Sequence, residues 1–143
     1  MVHALNQIWR TLVPGGLLLD LRPYSNMRPL EVGSGARYSV AGPVDDSLGL
    51  IDDIPASAAI AQAAREGWFE LERSDSFELL SYWDSLGEMI DYVAENWSDW
   101  MSFPPDTLER ARQLEAAIDY PRVRIRLNMI IGRYRKAIAN GAR

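Results

Sequence analysis

The sequence predicts a single α/β domain, and three stretches carry that expectation. Residues 2–12 repeat apolar side chains at helical spacing and stop at Pro14-Gly15-Gly16. Leu17–Leu21 is an almost continuous apolar run, too short for a helix. Residues 122–131 alternate Val123, Ile125, Leu127, Met129 and Ile131 with Arg124, Arg126, Asn128 and Ile130, the period of a strand. Helical and extended patterns therefore interleave along one chain of 143 residues, a length that suits one domain, 1–143.

Taken in order, Val2, Leu5, Ile8, Trp9, Leu12 and Val13 form one stripe of the first helix, and the Pro-Gly-Gly turn ends it. Leu17–Leu21 follows as a strand covered on both faces. Between 30 and 50, Gly33, Gly35, Gly42, Pro43 and Gly49 punctuate β-prone runs such as Arg37–Val40, predicting one or two hairpins with Gly33 and Gly35 at positive φ. Asp53 caps a helix over 55–66, with Gly67 just past its end. Residues 69–72 and 76–83 read as two strands separated by a turn at Ser74-Asp75. Ser85-Leu-Gly-Glu88 has the form of a capping box ahead of a helix over 86–97, and Pro104-Pro105 opens another that ends before Pro121.

Composition narrows the chemistry. With 48% hydrophobic and 24% charged residues the chain can build a core. No apolar run approaches the ~20 residues of a membrane span. Asn6, Gln7 and Arg10 interrupt any secretory leader, so the cytoplasm is the expected compartment. There is no cysteine and one histidine, His3, which removes thiolate sites, a Cys nucleophile and a multi-histidine metal centre. Asp45-Asp46 and Asp52-Asp53 sit on turns, where neighbouring carboxylates diverge, so no metal site is expected. Residues 122–143 hold 7 basic and no acidic side chains, against 8 basic and 20 acidic in 1–121. Such a patch attracts phosphates, but the acidic remainder opposes a long polyanion, and a solvated row of arginines on the last strand is the expected reading.

The stretch ALNQIWRTLVPGGLLLDLRP, residues 4–23, resembles class I S-adenosylmethionine-dependent methyltransferases, in which a helix leads through a Pro-Gly-Gly turn into the fifth strand of the sheet. The order that follows is similar too: a helix at 55–66, a strand ending in Tyr82-Trp83-Asp84-Ser85, a helical insertion, and a final strand ending in Gly132-Arg-Tyr-Arg-Lys136. The resemblance implies a partial Rossmann-like methyltransferase sheet, mixed in its final strands, with flanking helices and a β-hairpin insertion. That family carries its cofactor-binding glycine motif and ribose carboxylate upstream of the Pro-Gly-Gly turn, where only three residues precede Ala4 here. Glu31-Val-Gly-Ser-Gly-Ala36 resembles the acidic-x-Gly-x-Gly motif, but β-prone residues follow it instead of a helix, and it reads as a turn.

These readings imply a methyltransferase-like half-domain that is inactive as an isolated chain. No catalytic residue is assigned, and no cofactor is expected unless the missing half supplies the S-adenosylmethionine site. Asp20 and Arg22, at the C-terminal end of the first strand, are the best pocket candidates. Tyr24, Tyr82 and Trp83 are candidate aromatic walls. Trp83, Trp97, Trp100, Met101 and Phe103 are also what a core or a partner surface would use. Two alternatives remain: a homodimeric interaction module pairing through the strand at Leu17–Leu21 or by swapped elements, and a small-molecule-binding domain. A chain carrying the missing half is a further expected partner.

Overall fold

The computed structural model describes residues 2–23 and 28–138, without the side chains of residues 2 and 50–53. Four helices and five strands follow in the order α1 (Val2–Thr11), β1 (Leu17–Pro23), β2 (Pro29–Ser34), β3 (Arg37–Pro43), α2 (Leu50–Arg65), β4 (Phe69–Trp83), α3 (Leu86–Asn96), α4 (Pro105–Ala117) and β5 (Arg122–Lys136). The mixed α/β class holds. The sheet, expected to be mixed in direction, is antiparallel: β1 and β2 pair antiparallel with β5, and β3 with β2. Asp84 meets Arg122 near one end of β4, and the Ala137 N–H donates to the Trp68 carbonyl near the other, so β4 also runs antiparallel to β5.

The local punctuation behaves as the residues dictate. Val13, Pro14, Gly15 and Gly16 make a tight turn, with Gly15 at φ 72° and the Gly16 N–H donating to the Val13 carbonyl at 2.9 Å. Gly67, at φ 75°, ends α2: the Trp68 N–H reaches the Ala63 carbonyl and the Gly67 N–H the Ala64 carbonyl, the paired bonds of a left-handed helix stop. Ser85 Oγ accepts from the Glu88 N–H at 3.1 Å, the forward half of a capping box, while the Glu88 carboxylate accepts in return from the Asp84 N–H at 3.1 Å, one residue before the cap.

Four further sequence expectations need correction. The 69–72 and 76–83 runs are one strand, because Ser74-Asp75 stays extended in the long pairing with β5 instead of turning. Helix α2 begins at Leu50 and contains Pro55, whose fixed φ is already helical, so Asp53 lies inside the helix and not at its N-cap position. Only Gly35 takes a positive φ, 60°, in the two-residue link between Ser34 and Arg37. Gly33 is a strand residue at which a Cβ would collide with the Arg37 carbonyl and Tyr38 Cα. Finally, β1 is covered on one face only: Leu17, Leu19 and Leu21 are 45%, 62% and 55% exposed.

The chain divides into two compact units. The first holds α1, β1, α2, β4 up to Phe77 and β5 from Met129. Its core packs Ile60, Ala63, Phe69 and Tyr134 with Leu5, Ile8, Trp9 and Leu12 of α1, Leu18 and Trp68. The second holds β2, β3, α3, α4 and the remaining parts of β4 and β5. Its core gathers Leu30, Val32, Met89, Val93, Ala111, Val123 and Ile125, with Trp83, Trp97 and Trp100 packed around them.

Candidate functional site

In the first unit the site begins with β1. Asp20 and Arg22 are two residues apart on a strand and so share a face. Arg22 Nε donates to Asp20 Oδ2 at 2.8 Å, with both side chains mostly buried. Arg22 Nη1 also bonds the Ser57 hydroxyl on α2, a partner 35 residues away that no local pattern announces. Tyr134, in the adjoining core, has its phenol pushed up by burial and then by the negative charge of Asp20, with Arg22 opposing.

A concavity of about 260 Å³ adjoins this group, lined by Leu5 and Ile8 of α1, Ala56 and Ile60 of α2, and Leu18, Leu19, Asp20 and Leu21 of β1. Successive strand residues point to opposite faces, so four in a row line one hollow only along the edge of the strand. One edge of β1 is taken by β5. The concavity therefore runs along the other edge, which no strand occupies among the described residues.

The backbone pattern identifies the groups left over at that edge. The Lys136 N–H donates to the Gly16 carbonyl at 2.8 Å, and Gly16 and Lys136 continue the register in which Leu17 faces Arg135. Hydrogen-bonded pairs alternate in an antiparallel ladder, so Leu18, Asp20 and Arg22 direct their backbone groups to β5. Leu17, Leu19, Leu21 and Pro23 direct theirs outward. Pro23 has no N–H, and its place on the outward set costs the β1–β5 ladder nothing.

The second unit buries a carboxylate between two arginines. Glu31 on β2, 5% exposed at its side chain, accepts from Arg124 Nε at 2.5 Å and Arg126 Nη2 at 2.9 Å. The Arg124 guanidinium also lies 3.8 Å from the centre of the Tyr38 ring and 3.4 Å from the Tyr82 hydroxyl. Partial burial opposes the Arg124 charge, but Tyr82 and Glu31 outweigh it and hold the group above the ordinary arginine range.

Of the predicted site residues, Asp20 and Arg22 are brought together. Tyr82 belongs to the arginine cluster of the second unit, and Trp83 packs in that unit's core against Tyr92 and Trp97. Tyr24 lies outside the described residues. Sequence reasoning missed Ser57, Tyr134 and Glu31. Glu31 was masked by the glycines beside it, although the alternating arginines opposite were visible.

The Asp20–Arg22–Ser57 group is a hydrogen-bonded, charge-neutral set at the rim of an apolar hollow, suited to holding a ligand or a partner strand. No group of three His, Cys, Asp or Glu side chains fit to hold a metal occurs among the described residues. No helix among them is long and apolar enough to cross a membrane. No protein-family model, curated protein or solved structure matches the chain.

Proposed function

We propose that the chain is a methyltransferase-like half-domain, the back part of a class I S-adenosylmethionine-dependent methyltransferase fold, which transfers no methyl group unaided. The observation that carries this reading is the open edge of β1. In the family that residues 4–23 resemble, this strand is interior, and here, among the described residues, it ends the sheet with no strand paired to its outward backbone groups. The order α1, Pro-Gly-Gly turn, β1, an inserted β2–β3 hairpin, α2, β4, helical pair, β5 supports the same reading.

The described residues do not fit the cofactor. Gly33 and Gly35 lie in a β-hairpin and open no helix, so they offer no helix N-terminus to a nucleoside. The Glu31 carboxylate is engaged by two arginines and is not free for ribose hydroxyls. The cofactor site has to come from further sequence or another chain.

Calorimetry with S-adenosylmethionine tests the proposal. No saturable binding is expected for this chain, and saturable micromolar binding would overturn it. A second reading, a small-molecule binder, is favoured by the apolar hollow beside Asp20 and Arg22. Its mark would be a ligand whose binding is lost in Asp20→Ala.

A further inference from the structure

We infer that the open edge of β1 is an interaction surface for a second copy of this chain, the two β1 strands pairing antiparallel about Leu21. The inference rests on the open-edge reading above and names the partner that closes the edge. In the first unit two strands end the sheet, β1 and β4, and they differ in how they are protected. Strand β4 also exposes Leu71 and Phe77, but Glu70, Glu72, Arg73 and Asp75 stand among them, and the paired Arg73 and Asp75 remain 76% and 63% exposed, the usual charged defence of an edge against pairing. Strand β1 reads Leu-Leu-Leu-Asp-Leu-Arg-Pro, and its two charges already neutralise each other. Leu17, Leu19 and Leu21 expose about half of each side chain on the bare face. Their outward N–H and C=O groups have no bonding partner among the described residues.

Charge selects both the occupant and the register. A two-fold axis normal to the sheet pairs residues whose numbers have a fixed, even sum. Centred on Asp20, the pairing would set two carboxylates face to face. Centred on Leu21, it sets Asp20 opposite the partner's Arg22, and Arg22 opposite the partner's Asp20. These residues direct their own backbone groups inward to β5, so across the new junction they form the non-hydrogen-bonded pairs, in which side chains approach most closely. The intrachain Asp20–Arg22 pair becomes a square of alternating charge. Leu21 meets the partner's Leu21, and Leu19 meets the partner's Pro23, whose missing N–H forfeits one bond on each side. A foreign strand would match this charge order only by chance, whereas a second copy matches it by symmetry.

Light scattering and amide exchange on the wild-type chain, with two charge reversals, test the inference. The wild type is expected to be a dimer at tens of micromolar, with the Leu19 and Leu21 amides protected. Asp20→Arg sets arginine against the partner's Arg22, and Arg22→Asp sets aspartate against the partner's Asp20. Each variant alone, once its far-ultraviolet circular dichroism shows it folded, should lose self-affinity by at least about tenfold. An equimolar mixture should dimerise again, because one variant then presents arginine at both positions and the other aspartate at both, so every facing pair is of opposite charge. A wild-type monomer with rapidly exchanging Leu17, Leu19 and Leu21 amides would overturn the dimer and leave the open-edge reading intact. A monomer with those amides protected would overturn both. A dimer that survives both reversals, or a mixture that stays monomeric, would refute this pairing.

Discussion

Replacing Glu31 by Gln isolates the buried ionic cluster of β2 and β5, since it keeps volume and removes one buried charge. The amide still accepts from one guanidinium, but its NH2 then faces the N–H groups of the other, donor against donor. Removing one partner of a fully buried ion pair costs about 3–5 kcal/mol. Here the two arginine side chains are 20% and 31% exposed and keep other contacts: Tyr38 and Tyr82 for Arg124, Glu78 for Arg126. Partial solvation and these fallbacks reduce the expected cost to about 2–3 kcal/mol. At roughly 3 °C per kcal/mol for a chain of this size, the midpoint of thermal unfolding should fall by about 6–9 °C.

Urea and thermal unfolding followed by circular dichroism measure the cost, with Glu78→Gln as the matched control. Glu78 shares Arg126 but is 52% exposed, so its loss should cost no more than about 0.5 kcal/mol. If Glu31→Gln and Glu78→Gln are equally mild, the burial of Glu31 carries no energetic weight and the reasoning fails. A double-mutant cycle with Arg124→Gln should return a coupling above about 1 kcal/mol.

Tyr134→Phe should flatten the alkaline loss of stability. A phenol whose folded pKa is raised contributes fully below its ordinary value near 10.0 and loses that contribution as pH rises through the folded value, so urea midpoints of the wild type should drop above about pH 10 and those of the variant less. Gly33→Ala should destabilise by about 1–3 kcal/mol because its Cβ meets backbone atoms of Arg37 and Tyr38, which cannot swing aside. Gly35→Ala, which meets no atom and is opposed only by its positive φ, should cost about 1 kcal/mol, and urea unfolding of the pair ranks the two effects.

Signals that act within a few residues were legible. The Ser85 cap, the Pro-Gly-Gly turn and the stop at Gly67 depend on local backbone chemistry and took the expected form, except that Glu88 returns its bond to the Asp84 N–H and not to Ser85. The period-two pattern from Val123 announced β5, which the structure extends to Lys136. What escaped depends on partners distant in sequence. Ser74-Asp75 has turn-forming residues, yet pairing with β5 holds it extended. The apolar run Leu17–Leu21 suggests a strand covered on both faces, but apolarity alone does not say how many faces a fold covers. Leu18 packs into the core, and Leu17, Leu19 and Leu21 stay bare. For the site, the position of Asp20 and Arg22 at the end of a predicted strand marked them as candidates, whereas nothing near Ser57 marks it as their neighbour.

The basic C-terminal strand shows the same limit in its charges. By sequence, 122–143 is a cationic block beside an acidic remainder, a pattern that suggests phosphate binding or a solvated arginine row. In space four carboxylates of that remainder stand along the strand. Arg122 meets Asp84, Arg124 and Arg126 share Glu31, Arg126 also takes Glu78, and Arg133 and Arg135 share Glu72. Arg135, through its hydrogen bond, does most to hold the Glu72 carboxyl below its ordinary range. Each described arginine of β5 therefore faces a carboxylate on β2, on β4 or at Asp84 just beyond it. A polyanion would have to displace those carboxylates, and the charge asymmetry that draws the eye along the chain serves to set the neighbours of the strand.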